Sequence, residues 1–279
     1  MTKIRLSISI DRSVAARIDA LVDGVTTKSR SEAIERVLRE QLKDRKTAVI
    51  LAGGEPSSLL VRGLNVYRPL VNIGERTLVE DQVLKARAAG FHNFVVVGHP
   101  NVISKIYEVI GNGKRHDVSV VYVEENDPKG NAKTLEKIKE HVRTDFLLIP
   151  CDHYFDFDLK NIYEFHVKNQ GAATFGVHNL TSFEYAKTSV LVMEGMHIID
   201  YEERPTKPKT HLVSTFIGYL KPEIFDYIAP GNVRWVLQEH VFPRLAKERK
   251  LFGYPVSGNW VNVHTREDVE LVRTLAKQR

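Results

Sequence analysis

Residues 3–10 read KIRLSISI, and no other stretch limits the fold as sharply. Ile4, Leu6, Ile8 and Ile10 alternate with Lys3, Arg5, Ser7 and Ser9. A period of two is that of a strand with one apolar and one polar face. A strand cannot stand alone, because its backbone N–H and C=O groups need a neighbour. The next residues offer none. Asp11 is placed to cap a helix on which Val14, Ile18, Leu21 and Val22 form an apolar stripe, and Gly24 ends it. Ser29-Arg30-Ser31-Glu32 has the spacing of a capping box, and Ala33, Ile34, Val37, Leu38 and Leu42 line the buried side of a second helix. One strand and two short helices enclose too little core for a lone chain. Two chains that pair their strands antiparallel and interlock their helices solve both problems, so a homodimer is expected, with a higher oligomer left open.

Charge adds a partner. The net charge is +5, and residues 1–46 hold 11 Lys and Arg against 7 Asp and Glu, leaving 29 against 28 elsewhere. An excess gathered at one end points to an anionic partner for that end. Paired strands would show Lys3, Arg5, Ser7 and Ser9 twice on a two-stranded ribbon, a width that the DNA major groove admits. Residues 1–44 resemble the ribbon-helix-helix repressors, through the alternating strand and the second-helix stretch SRSEAIERVL (29–38). The resemblance implies that Lys3, Arg5, Ser7 and Ser9 read base edges of double-stranded DNA, while N–H groups of Ser29, Arg30 and Ser31 anchor a phosphate at a helix N-terminus. The alternative for the same residues is a dimerisation module with a solvated basic face.

The charged joint KDRK (43–46) leads directly into a second pattern. Short β runs at 48–51, 93–98, 118–124 and 146–150 alternate with helical runs at 78–89, 102–111, 134–141 and 159–169. That is the arithmetic of an α/β, Rossmann-like domain over 47–279, with a mostly parallel sheet between helices. No apolar run is long enough to span a membrane, and the start lacks the apolar core of a signal peptide. A single cysteine, Cys151, leaves no disulfide framework and no cysteine-rich zinc site. A cytoplasmic protein with no membrane partner is expected.

The strand 48–51 runs into Ala52-Gly53-Gly54, the way a phosphate loop begins. Further blocks follow: RPLVNIGERTLVEDQV (68–83), GNAKTL (130–135), LLIPCDHYFDFDL (147–159), YEERP (201–205), STFIGYLKPEIF (214–225) and FGYPVSGNWVNVHTREDV (252–269). In this order they resemble the sugar-phosphate nucleotidyltransferases, in which a sugar-1-phosphate attacks the α-phosphate of an NTP. The resemblance implies ligand contacts at Ala52, Gly53, Gly54, Arg68, Gly130, Asn131, Asp152, Glu203, Arg204 and Gly218. It also implies Mg²⁺ held by Asp152, with Asn262 at the second metal position.

The departures fall on the reacting groups. The family's GGxGTRL becomes Gly53-Gly54-Glu55-Pro56-Ser57-Ser58-Leu59. Pro56 has no N–H to offer, Ser58 replaces the signature arginine, and Glu55 adds an anion. A neutral amide, Asn262, stands for the second metal carboxylate and binds Mg²⁺ more weakly; His264 replaces the glycine after it. Arg62 is a candidate substitute cation. The expectation is a DNA-binding transcriptional regulator whose degenerate domain senses a nucleotide, NDP-sugar or sugar phosphate, with no confident catalytic residue. The alternative is an active sugar-1-phosphate nucleotidyltransferase with an autoregulatory or dimerising N-terminal segment. Elsewhere, Asp156 and Asp158 are expected to cap the helix at Leu159, Cys151 to fill core, and Lys207 and Lys209 to be solvated.

Overall fold

In the computed structural model, residues 7–41, 46–180 and 188–278 are described. The chain divides into two units, Met1–Arg45 and Lys46–Arg279. Lys3 and Arg5 lie outside the described residues, as does most of the 43–46 joint.

The first unit holds α1 (Arg12–Asp19) and α2 (Arg30–Gln41). Asp11 caps α1 as expected, accepting the Ser13 N–H at 2.7 Å. At α2 the Ser29 hydroxyl accepts the Glu32 N–H at 3.2 Å, but the Glu32 carboxylate reaches past Ser29 to the Lys28 N–H at 2.8 Å. The capping box is therefore displaced by one residue on its return arm. Between the helices Asp23 gathers the N–H groups of Val25, Thr26 and Thr27. Ser7 to Ile10 pair with no strand among the described residues, and Ile8, Ile10, Val14 and Leu38 are 57%, 41%, 44% and 45% exposed.

The second unit is built on a nine-stranded sheet. Its strands are β1 (Thr47–Ala52), β2 (Asn93–Gly98), β3 (Ser119–Glu124), β4 (Phe146–Pro150), β6 (Ala173–Asn179), β7 (Ser189–Glu194), β8 (His197–Glu203), β9 (Leu212–Leu220) and β10 (Leu251–Pro255), in the order β3-β2-β1-β4-β9-β6-β10-β8-β7. β3, β2, β1 and β4 are parallel to one another. The nearly continuous Val, Ile, Leu and Phe of β1, β2 and β4 reflect burial on both faces, while β3 at the edge is partly exposed. Beyond β4 the sheet turns antiparallel through β9, with β6 and β10 the remaining parallel pair, so it is mixed overall. The cause is β9, which returns between β4 and β6 and reverses direction there. β5 (His153–Phe155) and β11 (Trp260–Asn262) form a separate two-stranded ribbon.

The helices are α3 (Leu78–Ala88), α4 (Pro100–Ile110), α5 (Asn131–Glu136), α6 (Leu159–Asn169), α7 (Phe242–Lys247) and α8 (Arg266–Lys277). Thr77 and Glu80 form a reciprocal capping box at α3. α5 starts three residues before the expected run because Gly130, at φ +95°, turns the chain into it. Asp158 caps α6 as expected. Asp156 does not; its carboxylate holds the backbone and side-chain N–H groups of Asn259 at 2.5 and 2.8 Å. Cys151 is buried, and Lys209, though 55% exposed, pairs with Asp200 and Glu202.

Candidate functional site

The chain leaves β1 toward β2 and β3 on one side and later places β4 on the other. Such a reversal of strand order opens a crevice at the carboxyl ends of the strands, the usual ligand position in an open α/β sheet. The ends of β1 and β4 deliver Gly53-Gly54 and Asp152 to it, and the Cys151 N–H donates to Leu51 O at 3.0 Å to fix their spacing.

The loop after β1 is filled from within. Glu125, 1% exposed, follows β3 and accepts the Gly54 N–H at 3.2 Å through Oε2 and the Thr134 hydroxyl at 2.7 Å through Oε1. The Ser58 N–H and hydroxyl both donate to Glu55 O, at 2.9 and 2.6 Å, closing residues 56–59 into a tight turn. Of the N–H groups that would cradle a phosphate, those of Gly54 and Ser58 already have acceptors. Nothing in the local sequence flags Glu125. The signal lies in topology, since it sits just past the carboxyl end of a parallel strand.

The second cluster surrounds Asp152. A short turn at Arg68–Leu70 carries the Arg68 side chain inward. Its Nη1 donates to Asp152 Oδ2 at 2.9 Å, with the two side chains only 10% and 14% exposed. The β5–β11 ribbon sets Asn262 opposite His153, and the Val263 N–H donates to Asp152 O at 2.9 Å. Asn262 and His264 thus flank the position of Asp152. Asn262 Oδ1 and His264 Nε2 are buried and have no partner among the described residues. His153 Nδ1 lies 2.8 Å from Thr215 O and is assigned as the donor there, while Nε2 is 3.7 Å from Asp152 Oδ1.

Burial by itself would raise the Asp152 carboxyl, but His153 when protonated and Arg68 at any pH outweigh it and hold it below the usual carboxylate range. Burial and the Arg68 charge press His264 down to about 4, and burial lowers His153 as well. Both rings are neutral at pH 7. Burial raises the Cys151 thiol, which is inert there.

Mg²⁺ does not fit these side chains as they stand. It prefers near-octahedral oxygen ligands and carboxylates. Asp152 already bears a guanidinium, its neighbour Asn262 is neutral, and among the described residues no three His, Cys, Asp or Glu side chains gather to hold an ion.

The other expected contacts scatter. Ala52 is buried against Gly98. Gly53 lies where a Cβ would stand 2.4 Å from the Thr134 side chain. Gly130 packs on the Trp235 carbonyl. The Asn131 amide is spent on Gln238 Oε1 and the Leu237 N–H, at 2.7 and 2.8 Å. Gly218 lies within β9, where a Cβ would come 2.1 Å from Thr174 O, so strand packing accounts for it. Glu203 takes the Ser189 hydroxyl. Arg204, at φ +47°, is exposed and contacts Glu203 at 3.2 Å. Arg62 is exposed, and its N–H donates to His264 O at 2.9 Å. Ser7, Ser9, Ser29, Arg30 and Ser31 are exposed in the first unit, where the Arg30 guanidinium grips Asp19 with two 2.6 Å bonds.

Residues 47–270 match the family model of nucleotidyl transferases, and residues 4–45 that of ribbon-helix-helix proteins of the copG family. The bifunctional protein GlmU of Methanococcus aeolicus is 27% identical over 77% of the chain and 51% of its own length. The mannose-1-phosphate guanyltransferase of Yarrowia lipolytica is 26% identical over 79% and 61%, respectively. The chain thus spans about half to three-fifths of these curated relatives. Among solved structures, a Bacillus anthracis chain described as a glucose-1-phosphate thymidylyltransferase superposes with a TM-score of 0.76 at 20% identity, covering 84% of this chain and 96% of that one. A UDP-glucose pyrophosphorylase complexed with UDP-glucose gives 0.69 at 18%, covering 84% and 99%. At such identities the likeness is one of fold.

Proposed function

The chain belongs to the nucleotidyl transferase family and carries a ribbon-helix-helix segment of the copG family ahead of that domain; from this we propose that it is a DNA-binding transcriptional regulator whose larger domain binds a nucleotide, NDP-sugar or sugar phosphate as effector, without efficient turnover. The observation that carries the reading is the state of the crevice. Its one acidic metal position is ion-paired with Arg68, and Glu125 holds the Gly54 N–H of its glycine loop. A nucleotidyl transfer needs oriented positive charge on the departing pyrophosphate, and losing one oriented donor of that kind costs about 3–4 kcal/mol of transition-state stabilisation. Binding needs less. The exposed Ser7 and Ser9, together with Lys3 and Arg5, would then read DNA on a ribbon formed by two chains.

A pyrophosphate-release assay across the common NTPs and sugar-1-phosphates, with Mg²⁺, tests the larger domain. Release at background is expected. The second reading, a working nucleotidyltransferase, is favoured by the retained Asp152 and by relatives named as a guanyltransferase and an adenylyltransferase. Clear turnover that disappears in Asp152→Ala would establish it instead.

A further inference from the structure

We propose that Arg68 is a built-in replacement for the divalent cation at Asp152, so that the crevice holds a phosphate-bearing ligand without metal. The inference deepens the effector reading and depends on it only for the ligand's class. Four observations carry it. The Arg68 Nη1 to Asp152 Oδ2 contact is 2.9 Å and nearly solvent-free, so the pair persists where surface pairs would be screened. Arg68 is fixed at its root as well, with Nε donating to Leu60 O at 3.4 Å and its backbone in the turn at Arg68–Leu70. The second metal position is a neutral amide, Asn262, whose Oδ1 has no partner among the described residues. Finally, a divalent ion on Asp152 would have to displace the guanidinium or lie beside its full positive charge in a low-dielectric setting.

The chemistry is self-consistent. A guanidinium has five N–H donors, and Nε and Nη1 each spend one here, which leaves Nη2 without a protein acceptor among the described residues. Arg matches phosphate oxygens in a planar fork. His264 Nε2 is buried and unpartnered among the described residues, so the ring can offer a hydrogen bond to the same ligand.

Mn²⁺ alone, followed by electron paramagnetic resonance, is the direct probe because it stands in for Mg²⁺ and its free signal disappears on binding. The full chain is titrated as wild type, Arg68→Gln and Asp152→Asn, with thermal unfolding to verify folding. Gln keeps one hydrogen bond to Asp152 without the charge. The wild type should show no saturable Mn²⁺ binding, and Arg68→Gln should gain it by about tenfold or more in affinity. Wild-type binding that is lost in Asp152→Asn overturns the proposal, whatever the fate of the other variant. A folded Arg68→Gln that gains nothing also overturns it, since Arg68 would not then be what excludes the ion. Should Arg68→Gln fail to fold, Arg68→Met makes the same gain-of-binding test. The titration contains no nucleotide and no DNA, so its failure leaves the effector reading standing.

Discussion

A methyl group added at Gly53 would lie 2.4 Å from the Thr134 side chain and 2.8 Å from Glu125 Oε2. Gly53→Ala should therefore destabilise the larger domain by ~1–3 kcal/mol through overpacking, measured by thermal unfolding. Glu125→Ala removes the acceptor of the Gly54 N–H and the Thr134 hydroxyl, and should cost ~1–3 kcal/mol for the stranded donors. The pH response has a definite sign. An unfolded histidine titrates near 6.5, while His264 in the folded chain is held near 4 and His153 is also lowered. The unfolded chain therefore takes up more protons across that window, so stability is intact above pH 6.5 and falls as the pH drops toward 4. The urea midpoint should follow this course, and His264→Asn should flatten it. The strand ends that carry Gly53, Gly54 and Asp152 were legible in the sequence because each closes a short apolar run. Glu125 and the orphaned His264 Nε2 were not, because their roles arise only when the ends of β1 and β3 and the β5–β11 ribbon are brought together.

Legibility at the level of elements follows length and pattern. β1, β2, β3 and β4 are long apolar runs bounded by turn residues, and their positions were readable to within a residue or so. β5 and β11 have three residues each. Too short to carry a period, they acquire meaning only as each other's partner. The reversal of β9 was equally hidden, since a strand's direction in a sheet leaves no mark on its own alternation. Phe216 in β9 adopts φ +56° beside a register shift in β6, a local departure that no residue pattern announces. Helix ends were readable wherever a side chain does the capping. Thr77 accepts the Glu80 N–H and Glu80 accepts the Thr77 N–H, so Thr77→Ala should destabilise by ~1 kcal/mol in denaturant unfolding. The exposed Asp19–Arg30 pair, by contrast, should contribute little despite its two short bonds, because solvent screens it.

For the molecule as a whole, the two units pose different problems. The larger one buries its sheet on its own helices. The first unit leaves Ile8, Ile10, Val14 and Leu38 between 41% and 57% exposed in the single chain. Closing that apolar surface is the proposed reason for dimerisation, so the full chain should sediment as a dimer or larger, and Ile8→Asp should shift it toward monomer. The N-terminal charge excess was readable from the sequence directly, because charge is a sum over residues and needs no fold. The identity of the large domain's proposed ligand was not readable, since no short motif of the chain names a base or a sugar. The central claim is regulation through DNA, and its most direct measurement is selection of genomic fragments by the purified full chain at a fixed salt concentration, repeated with Arg5→Ala. Enrichment of defined sites that is lost in Arg5→Ala, with residual binding that weakens as salt rises, is the predicted result. Equal retention of all fragments by the wild-type chain would contradict it.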